Sequence, residues 1–309
     1  MIRLQPTDFE PVFGPITPYL ASRIQQYGFE HRALAKEERE RAVLDMIRAV
    51  YADALPISGP ARHPIWEEGW GENLAAFRPE QAGREAAKPR YFSKYPVVRW
   101  RGELYVAESP DYEYHMLAVI QDWLFDKFLR TAKSVYEFGC GTGHNLFRVR
   151  DVNEAARLHG ADWAQSAVDF INLQASHGAT HDLSASRFDF FHPEAGLQLA
   201  PQSAVYTVAA LEQTGARFGA FVDWVIAQAP SLVLHIEPIE EVLSPDALLD
   251  FLSIQYFHKR NYLQGYLAHL RNLEQAGKIK IHEVVRTHIG SKFIEGYTAI
   301  AWSPNARLC

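Results

Sequence analysis

The chain has 309 residues, 48 % of them hydrophobic and 22 % charged. This is the composition of a globular protein; it excludes a disordered chain, and the length suffices for one large domain or two smaller ones. Two cysteines, Cys140 and Cys309, exclude a disulfide framework and a cysteine-built zinc site, and a net charge of -6 argues against a nucleic-acid partner.

Residues 1–110 are rich in Pro, Trp and Tyr and show no strand–helix alternation. They read as a mainly helical lid and substrate region. The first residues hold no apolar stretch of signal-peptide type. A helix is predicted over residues 36–54, where Ala42, Val43, Met46, Ile47 and Val50 recur at helical spacing. The tryptophans of Trp66-Glu67-Glu68-Gly69-Trp70-Gly71-Glu72-Asn73 suit a lid that touches substrate, or docking of this region onto the core. Residues 97–100 and 104–107 flank Arg101-Gly102-Glu103 as a hairpin.

From residue 111 the texture changes. A helix is predicted over 111–129, then strands near 134–138, up to 162, and over 186–190, 203–208 and 231–236, with helices over 146–158, 164–173 and 218–228 between them. The nearest approach to a membrane span, residues 221–236, is broken by Asp223 and Pro230 and is short of the roughly 20 apolar residues required. Ser244-Pro245 opens a long helical region to Gln275, kinked near Lys259. Strands over 278–285 and 297–302 close the chain with no helix between them, so they pair antiparallel at one edge. The fold class is α/β: a Rossmann-like, seven-stranded, mostly parallel sheet with an antiparallel last strand and helices on both faces. Residues 111–309 form this core.

The sharpest signal is Glu137-Phe138-Gly139-Cys140-Gly141-Thr142-Gly143-His144. A buried strand feeds a glycine loop and a helix follows at once. Glycine is required where backbone must approach a ligand without a Cβ in the way. Asp162 lies 23 residues beyond Gly139, placed to accept from ribose hydroxyls. The third glycine of the dinucleotide fingerprint would stand where His144 is, so a pyrophosphate site is the second choice.

Glu137 to Gly143 resembles motif I of the class I S-adenosylmethionine-dependent methyltransferases. Gly160-Ala161-Asp162-Trp163 resembles that family's second motif, Arg187-Phe188-Asp189-Phe190 its third, and Ala209-Ala210-Leu211-Glu212-Gln213 falls where the fourth ends strand four. The resemblance covers Asp111 to Trp302. It implies S-adenosylmethionine as cofactor, with Gly139, Cys140, Gly141 and Gly143 lining its methionine part and Glu137 beneath them. Asp162 would hold the ribose, Trp163 would cover the adenine, and Asp189, with Phe190 beside it, would accept from the adenine amine.

Methyl transfer to a hydroxyl or ammonium needs a base. His235, at the end of strand five, is the first candidate by residue type; Glu212 is the second. Gln213, Glu237, Tyr256, Arg260, Trp66 and Trp70 are candidate substrate contacts. No recognisable metal set is present. The expected function is methyl transfer to an oxygen or nitrogen of a small polar molecule, a sugar or natural-product intermediate. The alternatives are a nicotinamide-dependent oxidoreductase and a non-catalytic cofactor binder. Expected partners are a small-molecule substrate and a second copy in a homodimer, with no nucleic acid or membrane, in the cytoplasm.

Overall fold

The computed structural model describes residues 1–53, 55–89, 92, 94–193 and 196–305. Ala54, the expected end of the first helix, and Cys309 lie outside them. The N-terminal region contains β1 (Ile2–Arg3), α1 (Glu10–Phe13), α2 (Pro18–Tyr27), β2 (Glu30–Ala33), α3 (Lys36–Tyr51), α4 (His63–Ala76), α5 (Arg84–Ala87), β3 (Val97–Trp100) and β4 (Glu103–Ala107). The core follows as α6 (Tyr112–Phe128), β5 (Ser134–Phe138), α7 (His144–Val152), β6 (Arg157–Asp162), α8 (Gln165–Ser176), β7 (Leu183–Arg187) and β8 (Ala204–Val208). It ends with α9 (Gly219–Gln228), β9 (Leu232–Glu237), α10 (Leu248–Arg260), α11 (Tyr266–Gln275), β10 (Ile279–Arg286), β11 (Ile289–Ser291) and β12 (Thr298–Pro304).

The seven-stranded sheet runs β10-β12-β9-β8-β5-β6-β7. Strands β5 to β9 are mutually parallel, and β12 runs antiparallel to both β9 and β10. Helical crossovers between β5 and β6, β6 and β7, and β8 and β9 make the parallel pairing. The short link from β10 to β12 makes the antiparallel edge. Val135, Phe138, Val205 and Val233 are fully buried, as strands covered on both faces require.

A second sheet was not visible in the sequence. It is antiparallel, with order β1-β2-β4-β3-β11. Its last member comes from the C-terminal part, where Ile289 pairs with Trp100 and Ser291 with Val98. The N-terminal region is therefore sewn to both ends of the core. A buried carboxylate joins them as well: Asp122 of α6 accepts from Arg23 Nε at 3.1 Å and from the Tyr27 hydroxyl at 2.5 Å.

Several element boundaries differ from expectation. The third core strand ends at Arg187, because the Asp189 carboxylate accepts from the Phe191 amide at 2.8 Å and turns the chain. Asp189 and Phe190 thus lie in the loop beyond it. The helix after the glycine loop stops at Val152, where Asn153 Nδ2 donates to the carbonyls of Leu129 and Ala132. Ser244 does not cap a helix. Its amide donates to Asp250 Oδ2 at 2.9 Å, and the helix begins at Leu248. The expected kink is a full break, with Asn261 at φ 52° and Gly265 at φ 71°. Among the described residues no helix is long and apolar enough to cross a membrane.

Candidate active site

The glycine loop leaves β5 with Gly139 at φ 70° and Gly141 at φ 50°, where a side chain is strained. Asp162, the last residue of β6, pins it. Its Oδ2 accepts from the Gly141 amide at 2.8 Å and its Oδ1 from the Ala164 amide at 3.0 Å. Burial pushes the Asp162 carboxyl up to about 6, against the pull of these two amides. Beneath the loop, Glu137 accepts from Asn145 Nδ2 at 2.6 Å and from the Tyr206 hydroxyl at 2.9 Å. It clamps α7 to two strands and does not wall the cavity. Gly143 opens α7 at φ 74°, also behind the wall.

A cavity of about 270 Å³ lies beyond the carboxyl ends of β5, β6 and β8. Gly139, Cys140 and Gly141 form its floor, and Asp162, Trp163 and Phe190 one wall. Glu212, Gln213, Arg260 and Tyr262 also line the cavity. Trp66 and Trp70 of α4 cover it, stacked with ring centroids 5.7 Å apart. The Trp70 indole rests on the loop so closely that a Cβ on Gly141 would lie 2.6 Å from its Cζ2. The lid is held by Glu67, whose carboxylate accepts from the Gln165 and Ser166 amides at 2.7 and 2.8 Å and so caps α8.

Glu212 is another buried carboxyl lining the cavity. Burial, and then the nearby charge of Glu237, push it up to about 8, while Arg260 opposes the shift. Gln213 Nε2 donates to it at 3.0 Å, and the Tyr262 hydroxyl hydrogen-bonds it.

Four expected roles are corrected by placement. His235 is fully buried away from the cavity. Its Nε2 accepts from Trp302 Nε1 at 3.0 Å, and the Tyr266 hydroxyl lies 2.7 Å from the same nitrogen. An indole can only donate, so the proton sits on Nδ1, which reaches Thr207 Oγ1 at 2.8 Å. Burial drives its pKa down to about 3. It is a core residue with no route to a substrate. Glu237 does not touch the cavity either: it accepts from the amides of Ala210, Leu211 and Glu212 at 3.0–3.1 Å and shapes the turn that presents Glu212. Tyr256 stacks on Phe293 behind the wall, 5.6 Å between centroids. Asp189 does not line the cavity: it holds the turn at Phe191 and meets His192 Nδ1 at 3.1 Å, while Phe190 and Phe191 face the cavity.

Other residues complete the wall, of which only Tyr262, in the aromatic and basic run 256–262, stood out in the sequence. Arg62 precedes α4; Tyr262 follows α10; Glu113 opens α6 and accepts from the Tyr297 hydroxyl at 3.2 Å. Arg62 and Glu113 stand in no motif. Among the described residues no group of three or more His, Cys, Asp or Glu could hold a metal ion.

No protein-family model and no curated protein matches the chain. Solved structures resemble it at low identity. An O-methyltransferase family protein from Burkholderia thailandensis is 12 % identical over 94 % of this chain and 73 % of that one, with a TM-score of 0.48. An N-methyltransferase from Bradyrhizobium japonicum WM9, solved with S-adenosyl-L-homocysteine, is 9 % identical over 64 % of this chain and 90 % of that one, TM-score 0.46. A geranyl diphosphate C-methyltransferase from Streptomyces coelicolor A3(2) is 12 % identical over 81 % of this chain and all of that one, TM-score 0.46. The functional reading therefore rests on this chain's own residues.

Proposed function

We propose that this protein transfers a methyl group from S-adenosylmethionine to an oxygen or nitrogen of a small polar molecule. The observation that carries this reading is the bond from Gly141 to Asp162 at the cavity floor. It places a bare backbone bend and an acidic side chain at one end of a cavity beyond parallel strand ends, where a nucleoside is expected. Each carboxylate oxygen of Asp162 uses one lone pair on an amide, so capacity for two ribose hydroxyls remains. Trp163, Phe190 and Phe191 offer flat apolar faces to a base.

The residues fit the group in kind, and the volume sets a condition. The cavity of about 270 Å³ lies just below the roughly 300–1,000 Å³ of ligand pockets, so cofactor and acceptor together would also occupy its open mouth. Once bound, the sulfonium supplies an already activated methyl group. The chain's part is to align and deprotonate the acceptor. On this reading Glu212 takes that proton; supporting it are a carboxyl held by Gln213 and Tyr262 and a turn fixed by Glu237. The two tryptophans of the lid exclude water from the exchange.

The oxidoreductase alternative is disfavoured because His144, buried and in the cavity wall, stands where the third fingerprint glycine would be. Calorimetry separates the readings. S-adenosyl-L-homocysteine is expected to bind and NAD to give no heat; the reverse pattern overturns the proposal. Binding without turnover on any acceptor would favour a non-catalytic binder.

A further inference from the structure

Resting on that reading, we propose that the methyl acceptor is an anionic molecule, carrying a carboxylate or phosphate that Arg62 and Arg260 grip together at the cavity wall beside Glu212.

The two arginines reach the wall from separate segments that are stitched to each other. The Ser58 amide donates to the Arg260 carbonyl at 2.7 Å, and Asn261 Nδ2 donates to the Ser58 carbonyl at 3.1 Å. Each guanidinium is backed by a ring: Arg62 over Trp66 at 5.6 Å, Arg260 over Tyr262 at 5.0 Å. Backing of this kind fixes the plane of the fork while leaving its N–H edges free for a planar or tetrahedral anion.

The pair is left without a counter-charge. Among the described residues neither arginine makes an ion pair within 4.0 Å; of the other half-buried arginines, Arg23 and Arg286 each hold two carboxylates, Arg84 holds one, and Arg150, with none, is met by backbone carbonyls instead. The Nε atoms of both Arg62 and Arg260 are buried without a partner. The charge of Arg260, after burial itself, lowers the pKa of Arg62, which places the two like charges within mutual influence. Arg260 also reaches the Tyr256 hydroxyl, a neutral partner. The acids nearby do not settle the account. Burial pushes Glu212 up to about 8 and raises Glu113, which weakens both as counter-charges. Two like charges facing one cavity, with unmet donors, would be relieved by an anion between them.

A carboxylate could come from the acceptor or from the cofactor's own amino-acid end. The neighbours of Arg260 favour the acceptor: its charge acts on Glu212, the group proposed to take the acceptor's proton, and on Tyr262, which holds that carboxyl.

The test uses the full chain saturated with S-adenosyl-L-homocysteine, with benzoate as the anionic probe and benzyl alcohol as its uncharged counterpart. Benzoate is expected to bind measurably and benzyl alcohol not. R62Q and R260Q are each expected to weaken benzoate about tenfold or more, while S-adenosyl-L-homocysteine affinity stays within about twofold of the parent. Without ligand, both variants are expected to melt no lower than the parent, since they relieve repulsion; a purely structural pair would melt lower. Equal binding of the two probes, or unchanged benzoate affinity in both variants, overturns the proposal. A tenfold loss of S-adenosyl-L-homocysteine affinity also overturns it, by assigning the guanidiniums to the cofactor. If the parent chain binds no S-adenosyl-L-homocysteine, the methyl-transfer reading fails; arginine-dependent benzoate binding to the unloaded chain would then still support the anion site.

Discussion

The Asp162 carboxylate accepts from the Gly141 amide at 2.8 Å, so the side chain expected to meet a nucleoside also sets the shape of the loop beneath it. Asp162→Ala removes both jobs. A charge-assisted bond contributes about 1.5–3 kcal/mol, so S-adenosyl-L-homocysteine affinity is expected to fall by about tenfold to a hundredfold. Calorimetry on a variant that still melts cooperatively checks this; unchanged affinity would remove Asp162 from the cofactor site.

Gly141→Ala is expected to destabilise the chain by about 2 kcal/mol, because φ 50° strains any Cβ and this one meets Trp70 at 2.6 Å. Pairing it with Trp70→Ala in a double-mutant cycle isolates the collision. A favourable coupling of about 1 kcal/mol or more is the expected sign. Additive losses would mean that Trp70 does not rest on the loop in solution.

Glu212 gives a pH signature. It must be ionised to accept a proton, and its carboxyl is pushed up to about 8, so turnover is expected to rise with pH and level off above that value. The facing groups are Glu237, Arg260, Gln213, Tyr262 and Tyr256, and none of the tyrosines ionises below this range. Stability moves the opposite way. The folded chain keeps this proton to higher pH than the unfolded one, whose ordinary value is 4.5; stability is full below that value and is lost as pH rises through about 8. Glu212→Gln should therefore melt higher than the parent at pH 9, differ little at pH 4.5, and turn over slowly at every pH. A melting temperature unchanged at pH 9 would contradict this account of its burial.

His235→Gln is expected to lower stability by about 1–3 kcal/mol, since it leaves the Trp302 and Thr207 partners unmet. Cofactor affinity and the pH profile should stay as in the parent. A selective loss of turnover in a stably folded variant would restore His235 as a catalytic candidate.

The sequence disclosed the floor of the site more fully than its walls, and the reason is physical. Glycines forced to positive φ and an acid one strand away are fixed by local backbone geometry, which one sequence carries. His235 and Glu237 were misread because β9 is buried on both faces, and alternation shows which residues share a face without showing which face meets the cavity. Arg62 contributes through distance-spanning packing and has no periodic neighbours to mark it. The strand β11 is three residues long with a glycine at its centre, too short for any alternation to register. Its partner β3 lies nearly 200 residues earlier, so the pairing leaves no local trace.

A fragment of residues 111–309 tests that pairing. It would expose the buried face of α6 and leave Asp122 without Arg23 and Tyr27. The fragment is expected to lack a cooperative melting transition that the whole chain shows. A sharp transition in the fragment alone would make the core an independent unit.

The pairing of Ile289 with Trp100 also orders events during synthesis. Residues 1–107 are made about 180 residues before the segment that gives their sheet its final edge. Until Ser291 leaves the ribosome, Val98 and its neighbours present an open hydrogen-bonding rim to other nascent chains. Slow or interrupted translation between Ala107 and Ser291 would thus favour aggregation through this open rim.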